Sequence, residues 1–296
     1  MELSHKVEKN ESNLTINQII QSQFNISTRL LSKLIRNKCI FINGIIADTR
    51  NIASFDDIIT IDLNYSEDNS NIVPTQMELK IVYEDEWLLI LNKPTGIAIH
   101  PSILHYENSI ANGVCYYFNS IGLNKKIRPV SRLDRNTSGL VIFAKCEYIQ
   151  EALNRQMKNN TFKKKYIAIV NGIFKEKTGT ISLPIARKEN SIIERCIDFQ
   201  NGQKSITHYR VIKENIDENI SMVECELETG RTHQIRVHMS AIGHPLIGDS
   251  LYGNTSNFID RQALHCYSLQ FSHPVLRKMM NFNIPLPTDM NFINYT

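Results

Sequence analysis

The sequence predicts an α+β protein: a mixed, mainly antiparallel sheet with flanking helices, preceded by a small α/β unit. Three observations carry this. Met222 to Glu228 alternates strictly, with Val223, Cys225 and Leu227 on one face and Glu224, Glu226 and Glu228 on the other, the pattern of an antiparallel strand with one face in water. Apolar runs at Leu140 to Ala144 and Tyr166 to Val170 bracket a segment with helical spacing at Ile149, Ala152, Leu153 and Met157, which reads as strand, helix, strand. Neither internal repeats nor a glycine-rich phosphate loop accompany them, so a doubly wound nucleotide fold is disfavoured.

Residues 12–64 read as a unit of their own. Ile16, Ile19 and Ile20 recur at helical spacing, as do Leu30, Leu31, Leu34 and Ile35; the apolar runs Ile40 to Ile42 and Ile58 to Leu63 follow, the first closed by Asn43-Gly44, a strong tight-turn signal. Arg29, Lys33 and Arg36 fall at i, i+4 and i+7 and so share one helical face. Tyr65 to Pro74, rich in Ser, Asn and Asp and closed by proline, has the composition of a linker. The second domain then spans 75–296. It opens on short strands at Leu79 to Tyr83 and Trp87 to Leu91, then the turn Asn92-Lys93-Pro94-Thr95-Gly96, where Lys93 either meets a phosphate or is solvated. Further on, Thr232 is placed to cap a helix from His233 to Ile242, with Gly243 as its stop and Arg231 at the strand-to-helix corner.

Composition limits the function classes. With 296 residues, 42% of them hydrophobic, the chain is long enough for two domains with a sizeable core. A net charge of only +3 means that any nucleic-acid contact relies on local patches. The six cysteines lie far apart with no Cys-x-x-Cys pair, against a disulfide scaffold or a zinc ribbon. They read as reduced core residues. The opening Met-Glu-Leu-Ser-His-Lys lacks an apolar stretch and no run approaches the ~20 apolar residues of a membrane span, so a soluble cytoplasmic protein is expected; a monomer is expected as well. His233 and His238 are five apart on a helix, roughly 140° from sharing a face, and no His-Glu-x-x-His completes them. No metal and no other cofactor is expected.

The chemistry concentrates in Arg128 to Lys145. There Asp134 sits between Arg132 and Arg135 in a turn-forming segment that runs into a buried strand. Opposite charge within reach lowers an Asp pKa by roughly 1–3 units, so Asp134 is expected as a carboxylate suited to nucleophile or base rather than acid. This segment resembles the His-Arg-Leu-Asp-Arg-Asp-Thr-Ser-Gly loop of the RluA family of RNA pseudouridine synthases, with Ser131 in place of the His and Asn136 in place of the second Asp. Glu84 to Ser102 is similar to the family's Asn-Lys-Pro-Thr-Gly segment, and Gly230 to Gly253 to its Gly-Arg-Thr-His-Gln-Ile-Arg-Val-His segment. Three matches in the family's order, with weaker echoes at Lys164 to Gly172 and Leu264 to Pro274, cover most of residues 74–290.

The resemblance implies a uridine-to-pseudouridine isomerase acting on RNA, with Asp134 as the catalytic residue, Arg231 as its cationic partner, Tyr166 against the target base and Arg132 entering the stack the uridine leaves. It also implies large-subunit ribosomal RNA as the target, with transfer RNA the other RNA class. The N-terminal unit is similar to the alpha-L RNA-binding domain of a ribosomal small-subunit protein, which implies phosphate contacts by Arg29, Lys33 and Arg36; Asn37-Lys38 stands where that domain commonly has a glycine. Two other readings compete: a non-catalytic RNA-binding assembly factor retaining the fold, and a metal-dependent hydrolase built on the histidines.

Overall fold

The computed structural model describes residues 1–101 and 106–292; Ser102, at the end of one matched segment, and residues 293–296 of the second domain lie outside them. The N-terminal unit comprises β1 (Glu2–Lys6), α1 (Ile16–Phe24), α2 (Thr28–Arg36), β2 (Ile40–Ile42), β3 (Ile45–Ile46) and β4 (Ile58–Asp62). Its strands lie in the order β1-β4-β2-β3. Ile19, Ile20, Leu30 and Leu34 on the helices share a core with Ile59 and Ile61 of β4.

Local chemistry sets the ends of these elements. Thr15 and Gln18 form a reciprocal capping box before α1, and Ser27 accepts from the Leu30 N–H at the start of α2. Asn43 and Gly44 have φ of 50° and 82°, the pair of positive values that a tight hairpin turn requires. Lys38, where a glycine was expected, adopts φ 55°, so the left-handed turn forms without it. The unit begins before residue 12, because β1 pairs along β4 from Glu2↔Asp62 to Lys6↔Ile58. A five-residue edge strand has too weak a pattern to declare itself ahead of its partner.

The expected linker is not free chain. The Asn69 amide bonds the backbone of Lys125 and Ile127, Glu67 pairs with Arg128 and Lys33, and Ile72 is buried. Part of its polar composition therefore serves hydrogen bonding to the second domain, while Ser66, Asp68, Ser70 and Asn71 remain exposed.

The second domain follows as β5 (Ile81–Glu84), β6 (Leu88–Lys93), α3 (Ile110–Ser120), β7 (Arg128–Pro129), β8 (Ser138–Ala144), α4 (Glu147–Lys158), β9 (Lys163–Asn171) and β10 (Thr178–Ser182). After it come the hairpin β11 (Ile185–Arg187) and β12 (Arg195–Ile197), then β13 (Ile206–Asn215), β14 (Ile220–Leu227), α5 (Gln234–Ala241), β15 (Leu264–Ser272) and β16 (Met279–Asn283). One large sheet runs β10-β13-β14-β9-β15-β8-β6-β5, with β16 on β15 and β7 on β8. Its pairings are antiparallel except β15 with β8. β8 is buried at every position, as its unbroken apolar run predicts for a strand covered on both faces. At the parallel junction a Cβ on Gly139 (φ 118°) would lie 2.2 Å from the Cys266 carbonyl oxygen, so only glycine lets the two strands close there. Among the described residues no helix is long and apolar enough to cross a membrane.

Candidate active site

The loop carrying Asp134 leads directly into β8, an interior strand between β15 and β6, and backbone and side-chain bonds fix it from two sides. Thr137 N–H closes the turn onto the Asp134 carbonyl at 3.1 Å. From the β6 turn, Lys93 Nζ donates to the carbonyls of Pro94, Ile97 and Arg135 at 2.8–2.9 Å, and Thr95 reaches the Asn136 carbonyl. From the segment before β15, Arg261 donates to the same Asn136 carbonyl at 3.1 Å and Gln262 to the Thr137 hydroxyl. Asn136 is held by its backbone oxygen, so Asn in place of Asp leaves these tethers intact.

Lys93 is neither of the two things expected of it. It is fully buried, and burial pushes its pKa down to about 7 while Asp134 pulls the other way. Three carbonyl acceptors need three N–H donors, which only the ammonium form has. Nothing in Asn-Lys-Pro-Thr-Gly marks a lysine as buried.

Asp134 lies in a cleft of about 440 Å³ that Arg132, Lys164, Tyr166 and Arg231 also line, a volume within the usual range of small-ligand sites, roughly 300–1,000 Å³. Ser131 sits on the same wall. Tyr166, in β9, is 4% exposed and presents only part of its ring; burial raises its phenol well above the usual range, so it is a neutral surface. Arg132 is exposed. Lys164 is half-buried, and burial lowers its pKa. Its neighbours Lys163 and Lys165 pair across the sheet with Glu226 and Glu224.

The cation beside Asp134 is not the one the sequence suggested. Arg231 turns its Nε to the Lys204 carbonyl at 3.3 Å, and Arg135 bonds the Gly96 carbonyl at 2.8 Å. Arg236, on α5, places Nη1 3.4 Å from Asp134 Oδ2 and is itself clamped by Asp249 through Nε at 2.7 Å and Nη2 at 2.8 Å. Asp249 is 1% exposed, so this fork-to-carboxylate pair fixes the guanidinium rigidly. The signal for Arg236 was present, an arginine between Ile235 and Val237 in an apolar helical stretch, but charge spacing alone does not separate a buried arginine from a solvated one. The helix also starts one residue later than expected: His233, not Thr232, precedes it, with φ 58° and no side-chain cap. Thr232 faces the cleft instead, while Gly243 ends the helix at φ 86°.

In the N-terminal unit the basic face divides. Lys33 bridges Glu67 at 2.9 Å and Glu147 at 2.8 Å; burial lowers its pKa, but these bonds raise it above the ordinary lysine range. Arg29 approaches Glu147 at 3.8 Å yet stays 89% exposed, and Arg36 is exposed. Lys33 therefore fastens the two domains and is not a free phosphate ligand.

A carboxylate beside a clamped guanidinium, under a buried tyrosine and two cleft-facing arginines, is suited to attack or proton removal on an anionic polymer held by its phosphates. Residues 87–241 match the family model described as RNA pseudouridylate synthase. The chain is 43% identical over 234 residues to the uncharacterized RNA pseudouridine synthase YhcT of Bacillus subtilis, covering 79% of this chain and 77% of that one. It is 37% identical over 251 residues to ribosomal large subunit pseudouridine synthase D of Zymomonas mobilis, covering 80% and 78%. Among solved structures, human RNA Pseudouridylate Synthase Domain Containing 1 aligns with a TM-score of 0.58 at 28% identity, over 70% of this chain and 83% of that one. With its aspartate loop, its cleft and these likenesses in agreement, the chain belongs to the RNA pseudouridine synthases of the RluA type, isomerases that act on RNA.

Proposed function

We propose that the chain converts specific uridines of large-subunit ribosomal RNA to pseudouridine, with Asp134 as its catalytic residue. The observation that carries the assignment of Asp134 is its position 3.4 Å from Arg236 in the cleft it shares with Tyr166, Arg132 and Arg231. The isomerisation breaks C1′–N1, turns the uracil, and forms C1′–C5; N1 gains a proton and C5 loses one, so no redox partner enters the balance. Attack on the ribose and removal of a ribose proton both use the same carboxylate oxygen, which Arg236 holds in place.

The uridine leaves its stack at a cost of a few kcal/mol. Arg132, exposed at the cleft mouth, offsets part of that cost by stacking into the vacancy, and Tyr166 lies against the base, a contact worth about 1–3 kcal/mol. Arg231 serves the RNA rather than Asp134. Beyond it a second hollow of about 470 Å³ carries Arg187 and Arg195 of the β11–β12 hairpin with no carboxylate on its wall, a site for the phosphates flanking the target. Arg29 and Arg36 add contacts farther along a folded RNA. The protein acts as a cytoplasmic monomer.

The ribosomal target rests on the relatives named as ribosomal large subunit pseudouridine synthase D, this chain covering 78% of the one from Zymomonas mobilis. Mapping pseudouridine across all RNA of a strain lacking the gene, against its parent, tests it. Loss of one or more sites in large-subunit ribosomal RNA is expected; loss confined to transfer RNA would overturn the ribosomal assignment while keeping the chemistry.

A further inference from the structure

His233 adopts φ 58° ahead of α5, a left-handed conformation uncommon for a residue with a Cβ. The left-handed turn carries the imidazole inward, to 11% exposure, with Nε2 3.8 Å from Asp134 Oδ2. Its other nitrogen, Nδ1, lies 2.8 Å from the Tyr252 hydroxyl. That hydroxyl accepts the backbone N–H of Arg195 at 2.8 Å, and the Tyr252 ring sits under the Arg236 guanidinium at 5.0 Å. One residue pair thus touches the catalytic carboxylate, its cationic partner and the arginine-bearing hairpin.

The hydrogen bonds assign the protons. Burial raises the Tyr252 pKa, so the phenol keeps its hydrogen. A phenol has one O–H to give; its oxygen takes the Arg195 N–H, and among the described residues His233 Nδ1 is the acceptor bonded to the hydroxyl, so that hydrogen goes to Nδ1. A neutral imidazole with Nδ1 as acceptor carries its proton on Nε2, the nitrogen facing Asp134. The 3.8 Å gap is longer than a hydrogen bond, as catalytic contacts often are before substrate closes the site.

We propose that His233 is a positioning donor for Asp134, its Nε2–H aimed by Tyr252, and that Tyr252 couples the placement of the β11–β12 hairpin to the placement of the carboxylate. The inference rests on Asp134 being the reacting residue. The charged and titratable groups around His233 come from four segments: Asp134 from the loop before β8, Arg236 from α5, Arg195 from β12, and Asp249 with Tyr252 from the loop after α5. Burial lowers the His233 pKa, Asp134 and Asp249 favour its protonation, and Arg236 and Arg195 oppose it. The Tyr252 O–H adds to the opposition by occupying the nitrogen a proton would take. Without it, a proton on Nδ1 would turn the donor into an imidazolium that grips Asp134 and blunts its reactivity.

The experiment measures single-turnover tritium release from a large-subunit ribosomal RNA transcript labelled at uridine C5, between pH 6 and pH 8, with RNA affinity measured separately. His233→Leu is expected to slow release about tenfold to a hundredfold, the scale of a misplaced reacting group, with affinity within threefold of the parent; His233→Gln, which restores an N–H at the Nε2 position, recovers most of that loss. Tyr252→Phe is expected to acquire a fall in rate toward pH 6 that the parent lacks and that Tyr252→Phe/His233→Gln does not show. A parent-like rate in His233→Leu, or a Tyr252→Phe profile superimposable on the parent's, overturns the inference. Asp134→Asn keeps this failure separate from that of the underlying reading: if Asp134→Asn is dead while the His233 and Tyr252 variants are unaffected, only the positioning role falls, whereas turnover by Asp134→Asn removes the catalytic assignment itself.

Discussion

Two basic regions of this protein, the face of α2 and the walls of the cleft, differ in how far their cations are used up inside the fold. On α2, Lys33 is drawn into a cluster with Glu67, Glu147 and Arg128 that joins the domains. Around the cleft, Arg132 stays exposed, and among the described residues the Arg231 guanidinium meets a backbone carbonyl and the second hollow has arginines without carboxylates. The difference lies in what stands opposite. A cation facing a carboxylate within the protein is spent on the fold; a cation facing open cleft remains for an anionic ligand. Arg236 combines both, tied by Asp249 and still able to touch Asp134.

The largest effect that sharpens this contrast is at the carboxylate. Asp134→Asn should abolish isomerisation while leaving folding and RNA affinity nearly intact, because the amide keeps the shape and loses the reactive oxygen; residual turnover within tenfold of the parent in a tritium-release assay would sink the assignment. Next comes the choice between the two arginines. Arg236→Leu should cost at least about a hundredfold in rate and roughly 3–5 kcal/mol in stability, since it leaves Asp249 buried and unpaired. Arg231→Ala should lower RNA affinity and change the rate constant far less. The reverse ranking in single-turnover kinetics and urea unfolding would restore Arg231 as the partner of Asp134.

The domain cluster makes a pH prediction. Burial raises the Glu67 pKa, but the bonds from Arg128 and Lys33 outweigh it and hold the carboxyl at about 2 instead of 4.5. A depressed carboxyl contributes stability that is full above the unfolded value and lost as pH falls toward the folded one, so the domain contact should weaken between about pH 4.5 and pH 2. Small-angle scattering should show the domains separating in that window, and Glu67→Gln should show it at neutral pH; a variant as compact as the parent would mean that the remaining contacts, Lys33 with Glu147 and Asn69 with the backbone of Lys125 and Ile127 among them, suffice without Glu67. The smallest effect concerns salt. Arg187→Ala should flatten the slope of log affinity against log salt by about 0.7–0.9, one phosphate contact, while Lys33→Met should leave it unchanged. A flattened slope in Lys33→Met would show that RNA displaces the carboxylates and frees the lysine.

Much of the molecule was legible in the chain. The alternation of β14, the buried run of β8, the helical spacing of α1, α2 and α4 and the Asn43-Gly44 turn all announce themselves, because period and turn chemistry are local properties. The loop of Asp134 was legible too, and Asp134, Arg132, Tyr166 and Arg231 line one cleft, though without the expected pairing of Arg231 with Asp134. Other features were hidden. β1 declares itself only through β4, the polar segment from Tyr65 to Pro74 reads as linker until Arg128 and Lys125 are seen opposite it, and Lys93 looks solvated until three carbonyls close on it.

The sequence by itself determined most of the element types and the place of the aspartate loop ahead of a buried strand, since these follow from residue identity and short-range order. Tertiary structure alone decided which charges meet: Arg236 rather than Arg231 beside Asp134, Lys33 on Glu67 and Glu147, His233 between Asp134 and Tyr252. Coulomb and hydrogen-bond energies depend on separation in space and on burial. Residues a hundred positions apart acquire both only when the sheet brings them together.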